Sequence, residues 1–309
     1  TSVRWMVEGI WTKGAHGMIA GEPKTFKSTI ALDIAISVAS GVSLWGEHAV
    51  HQQGPVVMIQ NGNADWIIKD RTEKILTSKN LVGSVDGDRI TWPPSLPLHF
   101  INNSGYTFSQ EENREEIELL CDRIRPALII FDPLYLMFEG DVNSAQELQP
   151  LLQWLISLKH EYNCSVMVIH HWNKSGVSKR GGQRMLGSTT LHGWVESALY
   201  LQEQETITND RTIIMEREFR GSGVLPHLAL KLDMGDVGEP RYSVTTDVAV
   251  SRTAELADLL SMNPQGLSIQ AISTELSISR RKAQALVDAM ADTVSIVPGP
   301  RGAHLVTLG

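Results

Sequence analysis

The stretch "GEPKTFKST", residues 21–29, nearly matches the phosphate-binding loop pattern G-x-x-x-x-G-K-[ST]. Gly21, Lys27 and Ser28 occupy their places, whereas Phe26 stands where the second glycine belongs. In such a loop, backbone N–H groups surround phosphate oxygens, the lysine reaches the β- and γ-phosphates, and the hydroxyl binds Mg²⁺. The stretch therefore predicts a nucleotide site, and a chance Lys-Ser pair at a helix start is the alternative.

The whole loop is assigned to nucleotide binding. Its residues are Gly21, Glu22, Pro23, Lys24, Thr25, Phe26, Lys27, Ser28 and Thr29.

Composition indicates an ordinary globular protein. The 309 residues are 42% hydrophobic and 20% charged, and the net charge of −8 restricts any nucleic-acid contact to local basic patches. Cys121 and Cys164 lie in apolar runs, which predicts buried free thiols in a reducing, cytoplasmic setting. The chain has neither an apolar stretch of about 20 residues nor a signal-peptide layout, so we expect no membrane partner.

Apolar runs alternate with amphipathic segments over the first 200 residues. The runs predict strands at 16–20, 54–60, 126–138 and 164–172, with 89–100 strand-like at both ends. The amphipathic segments predict helices at 28–41, 64–78, 109–125 and 144–163. This alternation is typical of an α/β fold with a mainly parallel sheet covered by helices. Later apolar segments, up to about residue 245, look like antiparallel strands that extend the sheet.

The pattern of apolar and polar residues changes near Ser251. Three short helical patterns are followed by "VSIVPGPRGAHLVTL", which alternates around a Pro-Gly-Pro-Arg-Gly turn. Three helices and a hairpin predict a small winged-helix domain. We therefore expect an α/β domain over 1–245 and a winged-helix domain over 251–309.

A second site signal is Asp132, which closes the apolar run from Ala127 to Phe131. An aspartate at the carboxyl end of a parallel strand lies where α/β folds bind ligands and can reach Mg²⁺. Its form is that of a Walker B acid, and a helix-capping aspartate is the alternative. A third apolar strand ends in His170 and His171, ahead of a glycine-rich basic loop.

The order of these motifs resembles the RecA-like P-loop ATPases related to the plasmid helicase RepA and the DnaB-type ring helicases, especially phage and prophage members. The resemblance covers about residues 5–235. It implies a homo-oligomeric, hexameric ring that binds ATP and Mg²⁺ between subunits and moves single-stranded DNA in replication or recombination. It also implies a bacterial host cytoplasm and a phage, prophage or plasmid origin.

The resemblance also assigns roles to residues. Lys27 would contact the phosphates, Ser28 and Asp132 would hold Mg²⁺, and His171, with His170 as the alternative, would sense the γ-phosphate. Arg217 and Arg220, near the end of a late strand, would supply a positive charge to the neighbouring subunit. A solvated strand arginine is the alternative for each.

Gly62 departs from the family pattern. Relatives carry a glutamate just beyond the second strand to orient the attacking water, and "VVMIQNGNAD" places Gly62 there. The protein then hydrolyses ATP poorly, or Asp65 or another acid substitutes, or the glutamate was removed by mutation, or the alignment is misregistered. Two functions follow from these alternatives: a DNA motor, or a nucleotide-gated DNA-binding scaffold. A glutamate placed at position 62 is expected to raise turnover.

Two basic clusters are candidates for DNA contact. The loop at 173–187 carries Lys174, Lys179, Arg180 and Arg184, which fit sequence-independent binding of a phosphate backbone. A surface loop without a partner is the alternative. The last predicted helix begins with Arg280, Arg281 and Lys282, which suits DNA contact. Because acids balance the basic residues in this domain, binding of replication or recombination proteins is the alternative.

Overall fold

A computed structural model describes most of the chain. The described residues are 3–81, 84–86, 89–91, 96–102, 105–142, 144–171, 189–204, 211–222, 225–234, 238–245, 253, 256–257, 259–276, 278–291, 293–299 and 304–308. They divide between two compact units, of which the first takes in 1–202, 215–225 and 234–241, and the second the remainder.

Helices and strands alternate through the first 200 residues. The strands are β1 Trp5–Val7, β2 Trp11–Thr12, β3 His16–Gly21, β4 Val56–Gln60, β5 Ser84–Asp86, β6 Arg89–Thr91, β7 Leu98–Asn102, β8 Leu128–Asp132, β9 Ser165–His171, β10 Ser197–Gln204, β11 Arg211–Phe219, β12 Leu228–Met234 and β13 Pro240–Thr245. The helices are α1 Lys27–Ser40, α2 Asp65–Ser78, α3 Glu111–Ile124, α4 Leu134–Met137, α5 Ala145–Tyr162 and α6 Thr189–Trp194.

One nine-stranded sheet organises this alternation, in the order β13-β12-β11-β10-β3-β9-β8-β4-β7. The pairs β10–β3, β3–β9, β9–β8, β8–β4 and β4–β7 are all parallel. The predicted α/β class with a mostly parallel sheet is therefore confirmed. The expectation of antiparallel strands beyond residue 196 is wrong for β10, which pairs parallel with β3.

The predicted strand 126–138 is too long. The strand ends at Asp132, and 134–137 form the short helix α4. The physical reason is Pro133, which carries no N–H for a sheet hydrogen bond. Leu134 and Met137 are nevertheless buried, so the apolar pattern records burial rather than strand length.

Two helices on one side of the sheet build much of its core. Ile117 and Cys121 of α3 and Leu148 and Leu155 of α5 are fully buried in one cluster with residues of β4, β8 and β9. Cys121 and Cys164 are buried free thiols, as predicted. Burial raises the pKa of each to about 12, which leaves both thiols protonated and unreactive.

Glycines fix how closely β10 approaches β3. A Cβ atom on Gly17 would lie 1.8 Å from the Ser197 carbonyl oxygen, and one on Gly21 would lie 2.5 Å from the Leu201 carbonyl oxygen. Both distances are far below van der Waals contact. The strand that leads into the phosphate loop therefore packs against β10 with no room for a side chain at either position.

The C-terminal region has a small core of its own. Its elements are α7 Ile269–Glu275, α8 Arg280–Ala289, β14 Val294–Pro298 and β15 His304–Leu308. The two strands form an antiparallel hairpin, and Leu256, Leu260, Ile272, Val287 and Val306 are buried together. Within the described residues, no helix combines the length and apolar character needed to cross a membrane.

Candidate nucleotide site

The predicted phosphate loop joins the carboxyl end of β3 to the amino end of α1. Phe26 directly precedes the helix with φ 59° and ψ 19°, and Lys24 has φ 67°. Both are left-handed conformations, which glycine adopts far more readily than other residues. The loop thus keeps the backbone that the pattern's second glycine provides, although an aromatic residue adopts it here.

Lys27 lies within this loop and is only 4% exposed. Its Nζ donates hydrogen bonds to the Glu22 carbonyl oxygen over 2.5 Å and to Thr25 Oγ1 over 3.4 Å. Burial lowers the pKa of Lys27 to about 8, against the opposing effect of the Asp132 and Glu22 charges. A partly desolvated ammonium held by one carbonyl oxygen and one hydroxyl of the loop is suited to binding phosphate oxygens.

Ser28 and Asp132 meet beside the loop. The Ser28 hydroxyl donates to Asp132 Oδ1 over 3.0 Å, and Asp132 is 2% exposed. Burial raises the pKa of Asp132 to about 6, although the hydrogen bond from Ser28 and the charges of Arg71 and Lys27 oppose the rise. The residue that caps α4 is Pro133, so Asp132 is not serving as a helix cap.

Gln60 is a site residue that sequence reasoning missed. It ends β4 directly beside Asp132 in the strand register, and its Nε2 donates to Asp132 Oδ2 over 3.3 Å. The side chain is 2% exposed. The available signal was that both strands end in a polar residue after an apolar run, which places the two side chains at the same edge of a parallel sheet.

His170 and His171 lie beside the start of the loop, because β9 pairs with β3 through Ala20 with His170 and Gly21 with His171. Burial, together with the charge of Lys27, lowers the pKa of each imidazole to about 4. Both rings are therefore neutral at physiological pH. The Tyr135 ring contacts His171 edge-on, with centroids 5.3 Å apart.

The position of the expected glutamate has an unusual backbone. Gly62 has φ 97°, and a Cβ atom there would lie 3.0 Å from Leu136 Cδ1. Asp65, the suggested substitute acid, accepts a hydrogen bond from Asn102 Nδ2. Asn102 lies on β7, on the far side of β4 from Asp132. The carboxylate of Asp65 is therefore held on the β7 side of Gln60.

The two candidate finger arginines lie away from the chain's own loop. Arg217 Nη1 donates to the Gly9 carbonyl oxygen over 2.7 Å. The backbone N–H of Arg220 donates to the Glu196 carbonyl oxygen, and that of Glu196 donates to the carbonyl oxygen of His16. His16 begins β3, whereas the phosphate loop follows its other end. The described contacts of both arginines lie away from the phosphate loop of the same chain.

The predicted DNA-binding residues divide between described and undescribed segments. Lys174, Lys179, Arg180 and Arg184 lie outside the described residues. Arg280, Arg281 and Lys282 form the exposed first turn of α8, and Ser279 Oγ accepts from the Lys282 N–H over 3.3 Å. Three cations at a helix N-terminus oppose the helix dipole, so this turn is better suited to an anionic partner than to isolation.

The side chains present fit Mg²⁺ and a nucleotide. Mg²⁺ takes oxygen ligands and in phosphate-transferring sites binds one or two protein oxygens together with substrate phosphates. The Ser28 hydroxyl and the Asp132 carboxylate supply such oxygens beside the Lys27 ammonium. Across the described part of the chain, no group of three or more His, Cys, Asp or Glu side chains could hold a metal alone. The donor set therefore suits a cation that arrives with phosphate.

Fold and site together define a P-loop ATPase with a RecA-like α/β core. The family model described as "AAA domain" matches residues 1–177, more than half of the chain, and the chain belongs to that family. A search of curated proteins finds no significant match.

Two solved structures are similar in fold. One is a KaiC-like protein from the hyperthermophilic archaeon Pyrococcus horikoshii, at 12% identity and TM-score 0.49, covering 77% of this chain and 93% of that one. The other is an ATPase domain, at 12% identity and TM-score 0.51, covering 74% of this chain and 85% of that one.

Proposed function

We propose that this nucleotide-binding ATPase hydrolyses ATP to move along single-stranded DNA as a homo-oligomeric, hexameric ring, in replication or recombination. The observation that carries the proposal is the Ser28–Asp132 hydrogen bond of 3.0 Å beside the buried Lys27 ammonium. These groups, one cation, one hydroxyl and one carboxylate, are the ones with which P-loop NTPases hold the phosphates and Mg²⁺. The motif order shared with RepA and DnaB-type helicases supports the finer assignment.

Each side chain has a defined task in this proposal. The Lys27 ammonium binds β- and γ-phosphate oxygens, and the Ser28 hydroxyl and Asp132 carboxylate hold Mg²⁺. The bound cation would neutralise charge that develops on the phosphates. His171, neutral and adjacent to the loop, would accept or donate one hydrogen bond towards the γ-phosphate, with His170 as the alternative. Arg217 or Arg220 would act on the site of a neighbouring subunit, which agrees with their distance from the chain's own loop.

The DNA would lie against the 173–187 loop, where Lys174, Lys179, Arg180 and Arg184 bind backbone phosphates. That loop directly follows β9, so His171 would connect the nucleotide to the DNA. We assign the C-terminal region, with its helices and hairpin, to a winged helix. Its Arg280, Arg281 and Lys282 would contact DNA or an acidic replication protein.

A second candidate is a nucleotide-gated DNA-binding scaffold with little turnover. Gly62 favours it, because the backbone at φ 97° carries no side chain to activate water. The two candidates differ in what DNA does to hydrolysis. Stimulation by single-stranded DNA supports the motor, whereas nucleotide-dependent DNA binding without hydrolysis supports the scaffold.

The test is steady-state ATPase activity with and without an oligonucleotide, compared between the wild type and Lys27→Ala. The motor hypothesis predicts that single-stranded DNA stimulates ATP turnover. It also predicts that Lys27→Ala abolishes both turnover and nucleotide binding. Lys13→Ala removes an exposed lysine outside the loop and is the matched control, which keeps full activity. Undiminished binding of a fluorescent ATP analogue to Lys27→Ala would overturn the nucleotide site itself.

A further inference from the structure

Gln60 has a buried side-chain amide at the nucleotide site, in which the nitrogen is hydrogen-bonded and the oxygen is not. Its Nε2 donates to Asp132 Oδ2 over 3.3 Å and contacts Met58 Sδ at 3.8 Å. Its Oε1 is buried and, among the described residues, has no hydrogen-bond partner. Leaving such an oxygen buried and unpaired destabilises the folded protein. A purely structural role in the core gives no reason for Gln60 to leave this oxygen unpaired.

The orientation of the amide follows from its neighbour. An ionised Asp132 accepts hydrogen bonds and donates none, so the NH₂ group of Gln60 must face it. The oxygen is then left unpaired on the other branch of the amide. Gln60 therefore contacts Asp132, one of the two proposed Mg²⁺ ligands, directly, and Ser28, the other, binds the second oxygen of the same carboxylate.

Two polar neighbours of Gln60 in the segment between β4 and α2, Asn61 and Asp65, are engaged elsewhere. Asn61 Nδ2 donates to the carbonyl oxygens of Tyr106 and Leu136, which fixes that side chain in the structure. Gly62 has no side chain, and Asp65 accepts from Asn102 on β7. In Gln60, the amide nitrogen contacts Asp132, while the buried oxygen of the same amide has no hydrogen-bond partner among the described residues.

We propose that Gln60 Oε1 accepts a hydrogen bond from the water that attacks the γ-phosphate, and so replaces the missing glutamate as the water-positioning residue. The inference rests on the proposed ATPase function. The water oxygen bonds to the γ-phosphorus, the bond from that phosphorus to the bridging oxygen breaks, and the water proton leaves with inorganic phosphate. A glutamine orients the water but takes no proton, so hydrolysis proceeds without a general base and is slow.

Two substitutions separate the acceptor oxygen from the donor nitrogen. Gln60→Leu removes both groups at similar volume, whereas Gln60→Glu keeps an acceptor oxygen and loses the donor to Asp132. Gln53→Leu is the matched control, because Gln53 is a partly buried glutamine that donates to the Ala39 carbonyl oxygen before the opposite end of β4. Each variant is assayed for kcat, for affinity towards ADP and towards ADP with aluminium fluoride, and for nucleotide-free thermal unfolding.

Gln60→Leu is expected to lower kcat by ~10²-fold, the lower end for a positioned catalytic group. Affinity for ADP with aluminium fluoride, a mimic of the transferring phosphoryl group, falls by a similar factor, while affinity for Mg²⁺-ADP changes by less than about threefold. Gln60→Glu keeps kcat within about tenfold of the wild type. Gln53→Leu leaves all three quantities unchanged.

Equal losses of kcat in Gln60→Leu and Gln60→Glu, matched by equal losses of Mg²⁺-ADP affinity, would mean that Gln60 acts only through Asp132 and would overturn the inference. An unchanged kcat in Gln60→Leu would overturn it as well, while the wild-type ATPase would still stand. If the wild type itself neither binds nor hydrolyses ATP, the proposed function fails, and the role of Gln60 fails with it.

Discussion

The hydroxyl of Ser28 donates a hydrogen bond to Asp132 Oδ1 over 3.0 Å, although the two residues are 104 positions apart in the chain. Ser28 lies in the first turn of α1 and Asp132 ends β8, so the contact forms only when helix and sheet are assembled. It brings the two halves of the proposed Mg²⁺ site together before nucleotide arrives. The site is therefore largely preorganised, which reduces the free-energy cost of binding.

Asp132→Asn is expected to stabilise the nucleotide-free protein and to abolish Mg²⁺-dependent nucleotide binding. The raised pKa of about 6 means that the folded protein binds the Asp132 proton more tightly than the unfolded chain does, so the contribution of this group to stability falls as pH rises from about 4 to about 6. Removing the buried charge should raise the free energy of unfolding at pH 7.5 by on the order of 1–2 kcal/mol. Urea unfolding measures this, with the exposed Asp122→Asn as control. A less stable Asp132→Asn would contradict the expectation.

Nucleotide affinity should fall in alkaline solution. Because the pKa of Lys27 is lowered to about 8, its ammonium loses its proton above that pH and with it the attraction for phosphate. We expect ATP-analogue affinity to be constant below about pH 7 and to fall by about tenfold per pH unit once pH exceeds the pKa. Lys27→Arg, whose guanidinium stays charged, should bind more weakly but without this fall. Wild-type affinity that stays flat to pH 9.5 would exclude Lys27 as the titrating group.

The left-handed Phe26 can be tested by two substitutions with opposite backbone preferences. Phe26→Gly relieves backbone strain but increases the freedom of the unfolded chain, so the free energy of unfolding should change by less than about 1 kcal/mol. Phe26→Val places a β-branched residue at φ 59° and should lose about 1–3 kcal/mol. Calorimetric unfolding of both variants provides the comparison. Greater loss in the glycine variant would show that the phenyl ring, rather than the backbone, decides stability.

The structure changes the expectation for Gly62. From the sequence, a glutamate at position 62 was expected to raise turnover. The backbone φ of 97° at this position disfavours any side chain, and an added Cβ atom would lie against Leu136. Gly62→Ala and Gly62→Glu should both lower the free energy of unfolding by about 1–2 kcal/mol, with no gain in ATPase activity for the glutamate. Comparing the two variants separates backbone strain from the added carboxylate. A rise of ~10²-fold in Gly62→Glu alone would restore the sequence-based expectation.

Replacing Lys179, Arg180 and Arg184 together by alanine should weaken single-stranded DNA binding of every sequence. Each lost phosphate contact lowers the slope of log affinity against log salt by about 0.7, so the slope should become shallower by about 2. The same triple replacement of Arg280, Arg281 and Lys282 is the comparison variant. An unchanged slope in the first variant, with a reduced slope in the second, would place the DNA site on α8.

Local sequence signals predicted the longer helices and strands of the first 200 residues to within one or two residues at most ends, whereas the short elements β1, β2, β5, α4 and α6 were not predicted. The helix predicted over 28–41 corresponds to α1, which Gly41 caps with φ 79°. Helix α5 begins after Ser144, whose hydroxyl accepts from the Glu147 N–H. Such caps are encoded by adjacent residues, which makes these boundaries readable from sequence.

The parts that were missed depend on contacts between distant residues. The pairing of Gln60 with Asp132 exists only because β4 lies beside β8 in the sheet. Likewise, the parallel alignment of β10 with β3 and the burial of Lys27 follow from tertiary packing. The loop pattern could indicate that Lys27 and Ser28 bind phosphate, but it could not supply the third partner or the protonation states.

The close approach of β10 to β3 affects how a comprehensive mutational scan of this protein would be interpreted. Selection for folded protein alone, without ATP, should already reject every replacement of Gly17 and Gly21, because Ser197 and Leu201 leave no volume for a side chain. Intolerance at Gly21, the first glycine of the phosphate loop, would then reflect the packing of β3 against β10 and not nucleotide binding. In such a scan, Ser28 and Gln60 are the positions whose variants should survive the folding selection and fail the activity selection.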